Sequence, residues 1–287
     1  MKEDIKVFLE YLATKKNCSQ STLAAYRNDL NQLMAYIEAE RAKGIIKPSG
    51  ELLKSYLLNL RERRYSTATV ARKVASAKSF FRFMVDSGKL RENPTKNLIS
   101  PRVSKHPPKF LSPPEYQRLL AEPKKLSTPE AKRNVVMLEL LYATGLRASE
   151  LVSLNVKDID LERSCVHCAH GSSKRRVPFD HRINQLLRNF LEDDRLDLLY
   201  DEKEKALFLN RRGGRLTRQG FWQIVKNHAS KAGLSAKITP HTLRHSFAAR
   251  KLQSGADLQS IQRALGHAYI SSTRIYKQSS SLAKVSE

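Results

Sequence analysis

Residues 239–277 read TPHTLRHSFAARKLQSGADLQSIQRALGHAYISSTRIYK. Thr239 followed by Pro240 is a helix-start signal, a capping side chain ahead of a proline that fits the first turn. The helix it opens closes at Gly255, a second opens near Asp257, and Gly266 stops that one. Helices cut by glycine stops put side chains at defined places. His241 and Arg244, three residues apart, share one helix face, and His267 falls on a helix-ending turn where a side chain can be aimed. Tyr269 and Tyr276 follow within ten residues. Each piece alone has an ordinary reading: an exposed basic helix, a structural histidine, a packing phenol.

The helical pattern extends through most of the chain. In the first hundred residues IKVFLEYLATKK, SQSTLAAYRNDLNQLMAYIEAE, SGELLKSYLLNLRERR and STATVARKVASAKSFFRFMVDSG each place apolar residues at helical spacing. Four helices without a strand signal predict a small α-domain over residues 1–100. The proline-rich stretch from Asn93 to Tyr116 has no helical period and contains a linker, residues 101–111. Residues 112–287 form the second domain. AKRNVVMLELLYATG is a strongly apolar helix ending at Gly145, and VKDIDLERSCVHCAHGSSKRRVPF (156–179) alternates like a small antiparallel hairpin or meander. From residue 181 onward the pattern is helical again, with breaks at RRGGRLT, AGLSAKITP, SGAD and LGHAY. The expected fold is mainly α, with one small antiparallel β-sheet in the second domain.

Composition narrows the function. The chain has 287 residues, with 52 Lys+Arg against 28 Asp+Glu and a net charge of +24. The excess runs through both halves, so it is not a basic tail, and it points to a polyanion partner, nucleic acid above all. Three cysteines, Cys18, Cys165 and Cys168, make no disulfide framework and suit a reducing cytoplasm. The N-terminal MKEDIKVFLEYL is acidic where a signal peptide would be apolar. The apolar run VVMLELLYATGL is broken by Glu139 and too short to span a bilayer. These features predict a cytoplasmic protein with no membrane association.

Phosphodiester chemistry without a metal needs fixed cations with forked donors, a nucleophile, and a proton for the leaving oxygen. ATGLRASEL (143–151) sets Arg147 just past a buried helix and its glycine stop, with Glu150 three residues on. The order of Arg147 in GLR, His241 and Arg244 in HxxR, His267 in LGH, and a tyrosine nine residues later resembles the tyrosine recombinase family. The likeness is greatest to Xer-type members and to phage and transposon integrases, and it extends to STLAAYRNDLNQLMAYI, SFFRFMVDSGKLRENPTKNL and PPKFLSPPEYQRLL.

The resemblance implies a core-binding domain with a SAM-like fold, then a catalytic domain with the DNA breaking-rejoining fold. It implies site-specific recombination through a 3′-phosphotyrosyl link and a Holliday junction, with Tyr276 as nucleophile. Arg147 and Arg244 would hold the scissile phosphate, His241 and His267 would handle protons or phosphate oxygens, and Glu150 would support Arg147. The implied partners are double-stranded DNA carrying a recombination site, a homo- or hetero-tetramer on two sites, and a possible second recombinase or accessory activator. No cofactor is implied. Alternatives are a mobile-element integrase, or a DNA-binding protein of the same fold impaired in catalysis.

One position departs from the family pattern. A lysine is expected in a GKG-type turn shortly before VP, but the text is CAHGSSKRRVP. Ungapped counting puts His170 there, and the nearest lysine is Lys174. Either Lys174 enters through a re-registered turn, or His170 is the general acid, or the donor is impaired. CVHCAH also raises a metal question. On an extended strand Cys165 and His167 point one way and Cys168 and His170 the other, so no metal site is expected. Further DNA contacts are expected from Thr67, Thr69, Arg72, Lys73 and Lys78 on one helix, and from Arg215, Thr217 and Arg218 at the start of another.

Overall fold

The structure is a computed structural model that describes residues 1–41, 49–104, 108–170, 173–266, 270 and 273. The chain divides into two compact units, Met1–Lys105 and His106–Glu287.

The first unit is built from α1 (Lys2–Thr14), α2 (Gln20–Arg41), α3 (Gly50–Glu62) and α4 (Thr67–Asp86). The last two begin where serine side chains take up orphan amides: Ser49 accepts from the Leu52 N–H and Ser66 from the Thr69 N–H. Phe8, Leu30, Leu33, Leu60, Phe80 and Phe81 are fully buried between the helices, with Phe8 and Phe80 edge to face at 5.5 Å. One polar cluster lies inside. The buried Asp29 on α2 accepts hydrogen bonds from Arg72, Lys73 and Ser76 of α4.

The second unit opens with α5 (Pro113–Lys124), held at its start by a reciprocal Ser112–Glu115 capping box. It continues through α6 (Pro129–Thr144) and α7 (Ala148–Ser153). Met137, Leu138, Leu140 and Leu141 of α6 have no exposed surface, so this helix is the centre of the unit rather than a surface element. Next come β1 (Ile159–Asp160), β2 (Cys165–His170) and β3 (Ser173–Pro178), antiparallel in the order β1-β2-β3. Their register pairs Asp160 with Cys165, Val166 with Val177, Cys168 with Arg175 and Ala169 with Lys174. The hairpin read from the alternation of 156–179 is therefore present as a three-stranded meander.

The remaining helices are α8 (His181–Asn189), α9 (Arg218–Lys231), α10 (Pro240–Gln253) and α11 (Leu258–Leu265). Between α8 and α9 the chain leaves the helical pattern. Ala206, Leu207, Phe208 and Leu209 run through the core with no exposed surface, tied by isolated bridges of Asn155 to Ala206 and of Leu209 to Arg215. The glycine that ends α6, Gly145, adopts φ 64°. A Cβ there would lie 2.3 Å from the ring of Phe247 on α10, so the missing side chain lets α10 approach the end of α6. No helix among the described residues is long and apolar enough to cross a membrane.

Candidate active site

The end of α6, the start of α7, strand β3, α10 and the last turn of α11 converge on one place. Arg147 stands at the entry to α7, where the Glu150 carboxylate reaches back to accept from its backbone N–H at 2.7 Å and from its Nη1 at 2.9 Å. The other arm of Arg147 donates to the Gly266 carbonyl at 2.7 Å. Arg244, only 4% exposed on α10, donates from Nη1 to the Gly145 carbonyl at 2.6 Å and from Nη2 to the Leu265 carbonyl at 2.7 Å. Two arginines 97 positions apart in the chain thus meet at the end of one helix. Those carbonyls lie in the last turn, where helix acceptors lack internal partners and the helix dipole is negative.

A third arginine completes the set. Arg175 of β3 donates to both Glu150 oxygens, Nη1 to Oε1 and Nη2 to Oε2 at 2.8 Å each, and from Nε to the Ala264 carbonyl at 3.0 Å. Sequence reasoning missed it. In SSKRR it looks like one more solvated charge, and only its strand parity with the buried Val177 marks it as inward. Burial alone would raise the Glu150 pKa, but the Arg175 fork and then Arg147 outweigh it and lower the carboxyl to about 2. Glu150 is therefore a fixed anion, hydrogen-bonded to both Arg147 and Arg175.

His241 opens α10 one turn before Arg244. Loss of solvation, then the cationic Arg244, Arg218 and Arg147, lower its pKa below the ordinary histidine value. Its ring faces that of His245 at 6.3 Å. Burial, then His241 and Arg244, push His245 down to about 4. The pair is neutral near pH 7, and a neutral imidazole can accept a proton. His267 and Tyr276 lie outside the described residues, as does Tyr269, but Gly266 ends α11 at φ 62° immediately before His267. The residues weighed as proton donor fall on the hairpin: His170 closes β2 opposite Ser173 and Lys174 pairs with Ala169, while their side chains lie outside the description.

The expected DNA contacts divide. Thr67 and Arg72 are exposed on α4, and Thr69 and Lys78 are half-buried there. Arg72 also pairs with Asp29. Lys73 is buried, and its ammonium is taken up by Asp29 at 2.9 Å and by Gln32, which makes it a packing cation rather than a surface phosphate contact. Arg215 is likewise spent on the fold. Its Nη1 donates to the Val152 and Leu154 carbonyls at 2.9 Å, and Nη2 to Asn155, closing the end of α7. Thr217 caps α9 by accepting from the Gly220 N–H, and Arg218 is exposed beside it, near enough to lower the His241 pKa.

The CVHCAH cluster separates as strand parity requires. Cys168 lies in the core with its thiol pushed up to about 12, chiefly by burial, so it is neutral at physiological pH. Asp160, Cys165 and His167 place ligand atoms within 4.8 Å of one another. Asp160 is already engaged, its Oδ1 by the Arg163 N–H and its Oδ2 by the Arg163 guanidinium at 3.9 Å and His167 Nε2 at 3.6 Å.

Residues 109–282 match the profile of the phage integrase family, and residues 5–88 match its N-terminal SAM-like domain. The chain belongs to the phage integrase family of tyrosine recombinases. It is 45% identical to the tyrosine recombinase XerC of Roseiflexus sp. over 96% of this chain and 89% of that protein. It is 40% identical to the tyrosine recombinase XerD of Oceanobacillus iheyensis over 95% and 91%. Among solved structures, the XerH site-specific recombinase bound to its difH substrate in a pre-cleavage complex is 25% identical, with a TM-score of 0.72 over 97% of this chain and 84% of that one. The Tn1549 transposon integrase with circular-intermediate DNA shares the fold at 19% identity, with a TM-score of 0.74 over 98% of both chains. The recombinase fold expected from the sequence, an α-helical N-terminal domain and a mostly helical catalytic domain with a small antiparallel sheet, is the one observed.

Proposed function

We propose that this recombinase exchanges DNA strands at a specific site in the manner of the Xer enzymes, in the cytoplasm, with Tyr276 as nucleophile. The observation that carries this reading is the meeting of Arg147 and Arg244 at the end of α11, one residue before His267. The Tyr276 oxygen attacks the scissile phosphorus, and the bond from phosphorus to the 5′-oxygen breaks. The tyrosine proton passes to a neutral histidine, His241 or His267. The 5′-oxygen takes a proton from the hairpin, from Lys174 or His170. Guanidinium groups stabilise the charge on the non-bridging oxygens. Because one phosphoester replaces another, the link stores the bond energy, and a 5′-hydroxyl from a second duplex reverses the step through a Holliday junction. Double-stranded DNA is the substrate, and recombinases assemble as a tetramer on two sites.

A nicked suicide substrate tests this. A protein–DNA adduct that survives denaturation with wild type and is lost in Tyr276→Phe is the expected result. An adduct that persists in Tyr276→Phe, or no adduct with wild type, overturns it. The reaction repeated with Lys174→Ala and His170→Ala, using a 5′-thio leaving group that needs no acid, identifies the proton donor by which loss is rescued.

The similarity to both XerC and XerD proteins supports a chromosomal resolvase over a mobile-element integrase, the fold of which is shared at lower identity. Recombination of a two-site plasmid by the purified protein alone, against recombination only with a second recombinase or an activator added, separates a homotetramer from a mixed one.

A further inference from the structure

Three consecutive carbonyls end α11, and each is held by a different arginine. Ala264 accepts from Arg175, Leu265 from Arg244 and Gly266 from Arg147. Arg147 and Arg244 are accounted for by the proposed chemistry. Arg175 is not. Its side chain is 11% exposed, and its Nε and both terminal nitrogens are engaged by Glu150 and the helix end. A Cβ on Gly266 would lie 2.8 Å from Arg175 Nη1, so guanidinium and helix stop are in close contact. Nothing in this arrangement leaves the group turned toward a DNA phosphate.

We propose that Arg175 is a positioning residue for strand cleavage, tying β3 to both the Glu150–Arg147 pair and Ala264 at the end of α11, three residues before His267. The proposal rests on the recombinase reading above. Its forked donors bind both Glu150 oxygens at once and so fix the plane of the carboxylate that aims Arg147. Its Nε fixes the axial position of the last turn of α11, and hence where the chain leaves for His267 and Tyr276. This side chain adds polar links from β3 of the hairpin to Glu150 of α7 and to the end of α11. Lysine has one point of donation and cannot make the three contacts together.

The test compares wild type, Arg175→Ala and Arg175→Lys in single-turnover adduct formation on a nicked suicide substrate. DNA half-saturation, the salt dependence of binding and the melting temperature are measured alongside. Loss of alignment in a reacting site costs up to about 100-fold in rate. At saturating DNA the expected cleavage rate of Arg175→Ala is ~100-fold down, with half-saturation within ~2-fold of wild type. Arg175→Lys, which keeps the charge and loses the fork, is expected to fall ~10-fold or more and so does not restore the rate. Added guanidinium ion is expected to recover part of the Arg175→Ala rate.

Three results overturn the proposal. One is an unchanged rate in both variants. Another is a log–log salt slope smaller by about 0.9, the signature of a lost phosphate contact. The third is full activity in Arg175→Lys. Should Arg175→Ala fail to fold, the lysine variant alone decides between loss and retention of rate. A wild-type protein that forms no adduct at all refutes the recombinase reading instead, and the two failures are distinguishable.

Discussion

Arg215 and Lys73 look, in the sequence, like the arginine and lysine of any DNA-binding helix, yet both are consumed by their own fold. Arg215 collects the carbonyls left over at the end of α7, and Lys73 neutralises Asp29 inside the first unit. Arg175 is the converse, a charge passed over in a basic hairpin that turns inward to the site. Residue type announces a cation, but the partner that claims it comes from elsewhere in the chain, and one sequence does not display that pairing. The meeting of Arg147 and Arg244 was foreshadowed in the sequence because the order and spacing of GLR and HxxR carry information that neither has alone.

The histidine pair has a measurable consequence at the same scale. His245 is lowered to about 4 in the folded protein, below the ~6.5 of an unfolded histidine. The folded state therefore binds fewer protons across that interval, so the contribution to stability is present above pH ~6.5 and is lost as pH falls toward 4. It amounts to no more than about 3 kcal/mol, since each pKa unit is ~1.4 kcal/mol. Chemical denaturation of wild type between pH 6.5 and 4 should show this decline, and His245→Asn should flatten it. An equal slope in the variant would assign the decline to other groups, the buried His228 with its lowered pKa among them.

Among the elements, helices were read well because caps and breakers lie beside the residues they act on. Ser112 with Glu115, Thr128 with Pro129, and Thr239 with Pro240 all stand where helices begin. The hairpin was legible from alternation. The segment between α8 and α9 was not. The run ALFL (206–209) is too short to tell an extended core segment from a helix by periodicity, and its partners, Asn155 and Arg215, lie in irregular chain. The junction between α6 and α10 supplies a prediction. Gly145→Ala must adopt a left-handed backbone and push a methyl group into the Phe247 ring. Overpacking costs ~1–3 kcal/mol and the backbone conformation adds ~1 kcal/mol or more. Thermal melting should show a drop of that size. Because the Gly145 carbonyl also holds Arg244, adduct formation should fall more than stability alone explains.

For the whole molecule, a charge of +24 spread over both units sets the strength of DNA binding and its sensitivity to salt. Binding and cleavage are then separable. The proposed division gives the exposed and half-buried residues of α4 to the first and the arginines at the end of α11 to the second. Lys78→Ala should weaken DNA binding at every sequence tested and reduce the log–log salt slope by about 0.9, while the cleavage rate at saturating DNA stays unchanged. A titration of affinity against salt, run beside the suicide-substrate assay, checks both halves. Composition had already indicated the partner. The identity of the target site was never legible, because bases are read by surface side chains whose geometry exists only against DNA.

Under the proposed chemistry, the three carbonyls at the end of α11 make this helix a thermodynamic partner of the DNA. Arg244 and one arm of Arg147 rest on uncharged peptide oxygens, which are weaker acceptors than a phosphate, while the other arm of Arg147 is held by the Glu150 carboxylate. Under the proposed chemistry, a scissile phosphate that draws those guanidinium groups away loosens the last turn of α11, while a turn held fast against them resists the phosphate. Such coupling is reciprocal. Any neighbouring protein that shifts the last turn of α11 therefore changes affinity for the cleavage site, and the cleavage site shifts that turn by the same free energy. On this reading, control of cleavage lies with whatever touches the end of α11, at a distance from the reacting atoms.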